Sequence, residues 1–154
     1  MKNIKALVIN LAISLGVGGI SALLTSNSKE LYAELIKPPF SPPGWIFGVV
    51  WPALFLLMGI SAFLVLQSND PLKKTALTIY GIQLAANMAW SLLFFGAKAF
   101  LFAFFWLILL IFLVVSMLRL FYNANRIAGI LQIPYVLWLL FAAYLNLGIY
   151  MLNR

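Results

Sequence analysis

Apolar residues gather in five long runs separated by short polar breaks. The runs cover residues 5–26, 45–67, 75–96, 100–122 and 129–152, and ionisable side chains fall almost entirely between them or at their ends. Each run is about 20 residues or longer, enough to cross roughly 30 Å of hydrocarbon as a helix. Backbone N–H and C=O groups find no partner in lipid, so a spanning run must bond internally. The pattern predicts an all-α integral membrane protein, a five-transmembrane-helix bundle forming one domain over residues 1–154. The breaks carry turn chemistry, as in Ser68-Asn69-Asp70-Pro71.

Composition removes the soluble alternative. Apolar residues make up 65% of the 154 and charged residues 8%, against roughly 45–50% and about 25% in soluble domains. Mean hydropathy is +1.07. The net charge of +7 fits Lys and Arg placed at membrane-helix ends, and no nucleic-acid partner is expected. There is no Cys and no His, and the acidic residues are Glu30, Glu34 and Asp70 alone. Thiol nucleophiles, thiolate zinc sites, imidazole proton shuttles and haem ligation by His or Cys are therefore excluded, and no metal site is expected. No carboxylate lies inside a run. That argues against a proton-coupled transporter, and no ring of charge suggests an ion filter.

The first run follows Lys2 and Lys5 and so resembles a signal peptide, but its apolar stretch is longer than the usual 7–15 residues of a cleaved segment. Asn10, Ser14, Gly18, Ser21 and Thr25 recur at steps of four and three, one helix face suited to packing on another helix. Five spans put Lys2, Lys5, Lys73, Lys74, Arg119 and Arg126 on one side and Lys29, Lys37, Lys98 and Arg154 on the other. Six against four favours a cytoplasmic N-terminus.

The longest break, residues 27–44, ends in Lys37-Pro38-Pro39-Phe40-Ser41-Pro42-Pro43-Gly44-Trp45. Its prolines fix φ and remove donors, making a stiff, non-helical segment. It is either a rigid connector or a lid over a cavity between helix ends.

Inside the second run Pro52 removes the N–H that the Gly48 carbonyl would accept. Trp45 suits the interfacial aromatic belt, whereas Trp51, beside the proline, and Phe55, one turn on, are cavity candidates. In the third run Gln83, Asn87, Trp90 and Ser91 share one helix face, which lipid would penalise, so it points inward. Gly81, Ala85 and Ala89 share nearly the opposite face, which lets a backbone approach closely, from this chain or from a second protomer. The fourth run carries little inward polarity and reads as a mostly lipid-facing scaffold, with Arg119 and Arg126 snorkelling to headgroups. In the fifth, Pro134 frees the Ile130 carbonyl and predicts a kink. Tyr135, Trp138, Ala142 and Asn146 then line an aromatic, small and amide stripe. Together these faces fit either helix packing or a pocket for a large flat apolar ligand with a few polar handles.

Three stretches also resemble the translocator protein family, known too as tryptophan-rich sensory proteins and peripheral-type benzodiazepine receptors. The first runs from Lys37 through the prolines to Trp45, Trp51 and Met58-Gly59. The second is Gln83 to Asn87 with Trp90-Ser91 and Phe94-Phe95. The third is Pro134-Tyr135, Trp138, Phe141-Ala142 and Leu145-Asn146. The resemblance covers nearly the whole chain. It implies a five-helix bundle, usually a homodimer in the cell membrane, whose cavity the first loop closes.

It also implies binding of porphyrins and of isoquinoline or benzodiazepine-type ligands, cholesterol in animal members, and light-dependent breakdown of protoporphyrin in bacterial ones. Carried across by motif, Trp51 and Trp138 flank the tetrapyrrole and carry any photochemistry. Asn87 and Asn146 offer polar contacts, Ala142 gives ring clearance, and Tyr32 and Pro42 contribute from the loop. Phe55 and Trp90 complete the expected pocket, and Gly81, Ala85 and Ala89 the expected dimer face. The porphyrin is ligand or substrate, and no resident cofactor is expected. A passive tetrapyrrole sensor or carrier, a transporter and a ligand-free bundle are the competing readings. Leu147, Tyr150 and Arg154 fit a loose cholesterol pattern and read equally as a helix end.

Overall fold

The computed structural model describes residues 3–154, and every regular element among them is helical. The helices are α1 (Ile4–Leu24), α2 (Ser28–Glu34), α3 (Phe47–Leu66) and α4 (Lys73–Ser91), then α5 (Phe100–Ala124), α6 (Arg126–Ile130) and α7 (Ile133–Leu152). A tight turn at Gly44–Ile46 leads into α3. A wider turn at Leu92–Gly96 closes α4, with the Ala97 N–H donating to the Leu92 carbonyl at 2.9 Å. Five stretches are long and apolar enough to cross a membrane: α1, α3 with its turn, α4 with its turn, α5, and α6 with α7. Lys2, counted in the charge comparison, lies outside the described residues.

Packing in lipid cannot lean on hydrophobicity, because the acyl chains are as apolar as leucine; close backbone approach does the work instead. α1 shows this inversion. Its buried residues are Ser14 and Ser21, while Ile9, Ile13 and Leu23 face outward. The small stripe read from the sequence lies against α3. A Cβ added at Gly59 would stand 2.7 Å from Ser14 Oγ and 3.0 Å from Leu11 Cα, and one added at Gly18 would stand 2.7 Å from the Phe55 ring. Only hydrogen fits at either position.

Helix α5 is the mostly lipid-facing scaffold expected, with one buried stripe. It packs on α4, α6 and α7, and Ala103, Leu107, Leu110, Val114, Met117 and Phe121 are all fully buried. One apolar stripe serves the core and the other faces serve lipid, so polarity could not reveal which side was inward.

Two expectations are corrected. The loop expected over 27–44 contains a helix, since Ser28–Glu34 forms α2, whereas the proline stretch 37–43 is non-helical as read. Lys, Glu, Leu and Ala are good helix formers, and the turn ends where Leu35 becomes extended ahead of the prolines. The fifth run is not one helix kinked at Pro134. α6 ends at Ile130, and Pro134 sits in the first turn of α7, where a missing N–H costs nothing. Asn125 starts α6 by accepting from Ile127 N at 2.9 Å and Ala128 N at 3.2 Å, a cap that satisfies two otherwise unpaired donors.

Candidate functional site

A cavity of about 480 Å3 lies inside the bundle, within the range of small-molecule sites. α1 with its C-cap contributes Gly18, Ser21 and Thr25, and α2 contributes Tyr32. α3 contributes Phe47, Gly48, Trp51, Pro52 and Phe55. Asn87 and Trp90 come from α4, and Trp138 and Ala142 from α7.

Aromatic rings form a continuous wall. Trp51 is its hub, with ring centroids 6.5 Å from Trp90, 6.5 Å from Trp138, 6.4 Å from Tyr135 and 5.8 Å from Phe55. Trp138 continues to Phe47 at 5.7 Å, and Phe47 to Tyr32 at 5.0 Å. Such a wall offers large, flat, polarisable area with few rotamers to freeze. Trp45, one turn before this set, is 68% exposed, as an interfacial tryptophan would be.

Behind the wall the amides are already engaged. Asn87 Nδ2 donates to the Tyr135 hydroxyl at 2.7 Å, and that hydroxyl donates to Gln83 Oε1 at 2.8 Å. Gln83 Nε2 reaches the Met58 sulfur at 3.7 Å. Trp90 Nε1 donates to Asn146 Oδ1 at 3.0 Å, and Asn146 Nδ2 donates to the Phe100 carbonyl at 2.8 Å. Asn146 therefore sits outside the lining and pins Trp90. Pro42 is also outside the lining; its carbonyl accepts from the Tyr32 hydroxyl and so turns that ring toward the cavity. Burial pushes the Tyr32 hydroxyl above the ordinary tyrosine range, against a smaller opposing contribution from Ser41, so this bond keeps its proton through neutral pH.

The loop closes one end of the cavity and is fastened mainly to α7. Asn153 Oδ1 accepts from Ile36 N at 3.0 Å and Asn153 Nδ2 donates to Ile36 O at 2.7 Å. Tyr144 donates to the Pro39 carbonyl at 2.7 Å. Pro38 seats on Gly148, where an added Cβ would come within 2.6 Å of its ring. Lys37 Nζ caps the end of α2 through the Tyr32 and Leu35 carbonyls at 2.7 and 3.0 Å. Phe40, at φ 66° and 91% exposed, makes the outward corner. Asn153→Ala removes both bonds to Ile36, and hydrogen exchange at the Ile36 amide should then run roughly tenfold faster. Unchanged exchange would show that Pro38 and Tyr144 hold the loop without it.

Sequence reading placed Tyr32, Trp51, Phe55, Asn87, Trp90, Trp138 and Ala142 as pocket candidates, and the structure brings these seven to one cavity. It missed Phe47 and the α1 residues. The stripe Gly18, Ser21 and Thr25 was visible, but only as a packing face; it serves packing and lining together. Gly81 and Ala85 lie on the far, exposed face of α4, and Ala89 is half-buried there.

The chain matches the TspO/MBR family over residues 8–152. It is 36% identical over 151 residues to the tryptophan-rich protein TspO of Chlorobaculum tepidum, covering 96% of this chain and 94% of that one. It is 35% identical over 155 residues to the tryptophan-rich protein TspO of Archaeoglobus fulgidus, covering 98% and 99%. The human translocator protein is 33% identical over 146 residues, covering 93% of this chain and 86% of its own.

Proposed function

The chain belongs to the TspO/MBR family, and on that premise we propose that it binds a porphyrin, protoporphyrin IX, in its cavity and promotes the pigment's light-dependent oxidative degradation. The observation that carries this reading is the tryptophan wall, with Trp90 and Trp138 each 6.5 Å from Trp51 along the cavity lining. A tetrapyrrole is flat and apolar with carboxylates on one edge. Its ring suits the indole faces, and its carboxylates suit Lys29 at the cavity margin. In the light, the bound porphyrin is the absorber and dioxygen the oxidant. Trp51 or Trp138 passes one electron to the excited ring, and the reduced ring hands it to dioxygen. The indole radical cation regains an electron from the ring, and ring cation and superoxide combine so that both oxygen atoms enter the pigment. With no His or Cys in the chain, the metal-free pigment is the better fit. Isoquinoline or benzodiazepine-type ligands would use the same wall. A homodimer in the cell membrane would pair the exposed face of Gly81, Ala85 and Ala89.

One observation favours a second reading, a passive tetrapyrrole sensor or carrier. Lys29 and Tyr32 are the only ionisable side chains on the lining among the described residues, so no acid–base pair is at hand. Titration of purified protein with protoporphyrin IX in the dark, followed by illumination, separates the two. Saturable tryptophan quenching is expected, then pigment loss faster than in buffer. In Trp51→Phe and Trp138→Phe that loss should slow by about tenfold, roughly 1.4 kcal/mol in barrier. Saturable quenching with no added loss leaves the sensor, and no saturable quenching ends both.

A further inference from the structure

The loop end of the cavity is fastened, and so is the gap beside α4. Asn27 Nδ2, in the turn after α1, donates to the Phe95 carbonyl at 3.2 Å and draws those two segments together. The seam between α1 and α3 is built differently. The two helices meet tightly at Ser14 with Gly59 and at Gly18 with Phe55. Beyond that point the lining includes residues that are also exposed on the outer surface: Leu15, Gly19 and Ala22 of α1, and Gly48 and Pro52 of α3. A Cβ added at Gly19 or at Gly48 would meet nothing within 4 Å. Both glycines therefore border open space, and both lie within membrane-spanning segments.

We propose that ligand reaches the cavity sideways, from the lipid phase, through a portal between α1 and α3 framed by Gly19 and Gly48. The two halves of the seam divide the work. Ser14, Gly18, Phe55 and Gly59 hold the helices together, while Gly19 and Gly48 keep the other half open because neither carries a side chain. Pro52 supports the opening. It has no N–H for the Gly48 carbonyl, and both residues lie on the rim. A flat apolar ligand already dissolved among acyl chains would cross this opening without passing through water. With no such ligand present, an acyl chain of a neighbouring lipid is the occupant of the rim. The inference rests on the cavity being the ligand site and, for its first test, on protoporphyrin IX as ligand.

The test is stopped-flow exchange of protoporphyrin IX between protein reconstituted in phosphatidylcholine vesicles and an excess of empty vesicles. Gly19→Phe or Gly48→Leu, filling the portal from either side, should slow association and dissociation together by about tenfold, a joint slowing that a change in affinity alone does not produce. Asn153→Ala, which unfastens the loop, should change the rate by less than about twofold. The reverse pattern, a fast Asn153→Ala and unaltered portal variants, would place the route under the loop and overturn the proposal. If protoporphyrin IX does not bind, the tetrapyrrole reading fails but the portal is still decided. In vesicles of phosphatidylcholine brominated on its acyl chains, tryptophan quenching should be weaker in Gly19→Phe than in the unaltered protein. Equal quenching would show that no chain reaches Trp51 through the seam.

Discussion

Tyr135→Phe is expected to lower stability by about 1–3 kcal/mol, although it removes one oxygen. The side chain is fully buried, and its hydroxyl stands between two amides, accepting from Asn87 and donating to Gln83. Its loss strands Gln83 Oε1 in the core and leaves Asn87 Nδ2 unpaired at the cavity wall. An unsatisfied buried group costs about 1–3 kcal/mol in soluble proteins, and interhelical bonds in membranes average nearer 0.6 kcal/mol. Two stranded groups put the sum between those limits. Unfolding in mixed micelles at rising dodecyl sulfate measures it. A loss under about 0.5 kcal/mol would show that the amides find other partners. The same change frees Asn87, which lines the cavity, so ligand affinity should shift with stability.

The second large effect is expected from Gly59→Leu. Here a new Cβ would press on Leu11 Cα as well as on Ser14 Oγ, and backbone cannot rotate away as a side chain can. Overpacking costs about 1–3 kcal/mol and occasionally more; a branched side chain against a helix backbone belongs at the upper end. α1 should separate from α3 and take Gly18 and Ser21 off the cavity wall. Micelle unfolding and saturable quenching by protoporphyrin IX should fail together. Gly81→Ala is the matched control, because a Cβ there meets nothing within 4 Å. A Gly59→Leu protein as stable as that control would show that the α1–α3 contact is not what holds α1.

The architecture was legible because lipid leaves few options. Backbone bonding and bilayer thickness reduce a run of 20 apolar residues to one structure, so the five spans could be read directly. What could not be read had local causes. In α5 an apolar residue suits core and lipid alike, so hydropathy has no contrast and the buried stripe of this mostly lipid-facing helix did not stand out. Pro134 is compatible with a kink or with a helix start, and the end of α6 at Ile130, four residues upstream, settled it. α2 is too short to show a period. At the site, Gln83, Asn87 and Trp90 were legible because polar groups on a membrane helix must turn inward. Their partners were not, because Tyr135 lies 48 residues from Asn87 and Asn146 lies 56 from Trp90. Asn146 looked like a ligand handle from its stripe, and only its bonds to Trp90 and Phe100 show that both ends of the amide are taken.

The fastening of the loop also sets an order in time. Ile36 leaves the ribosome early, and its two bonds are to Asn153, 117 residues later. Tyr144 and Gly148, the other attachments, also belong to the last span. During synthesis the first four spans can enter the membrane and pair while the proline segment still lacks its attachments to the last span. The roof of the cavity is thus laid last, and a chain stalled before α7 would present to the cell an open, tryptophan-lined trough.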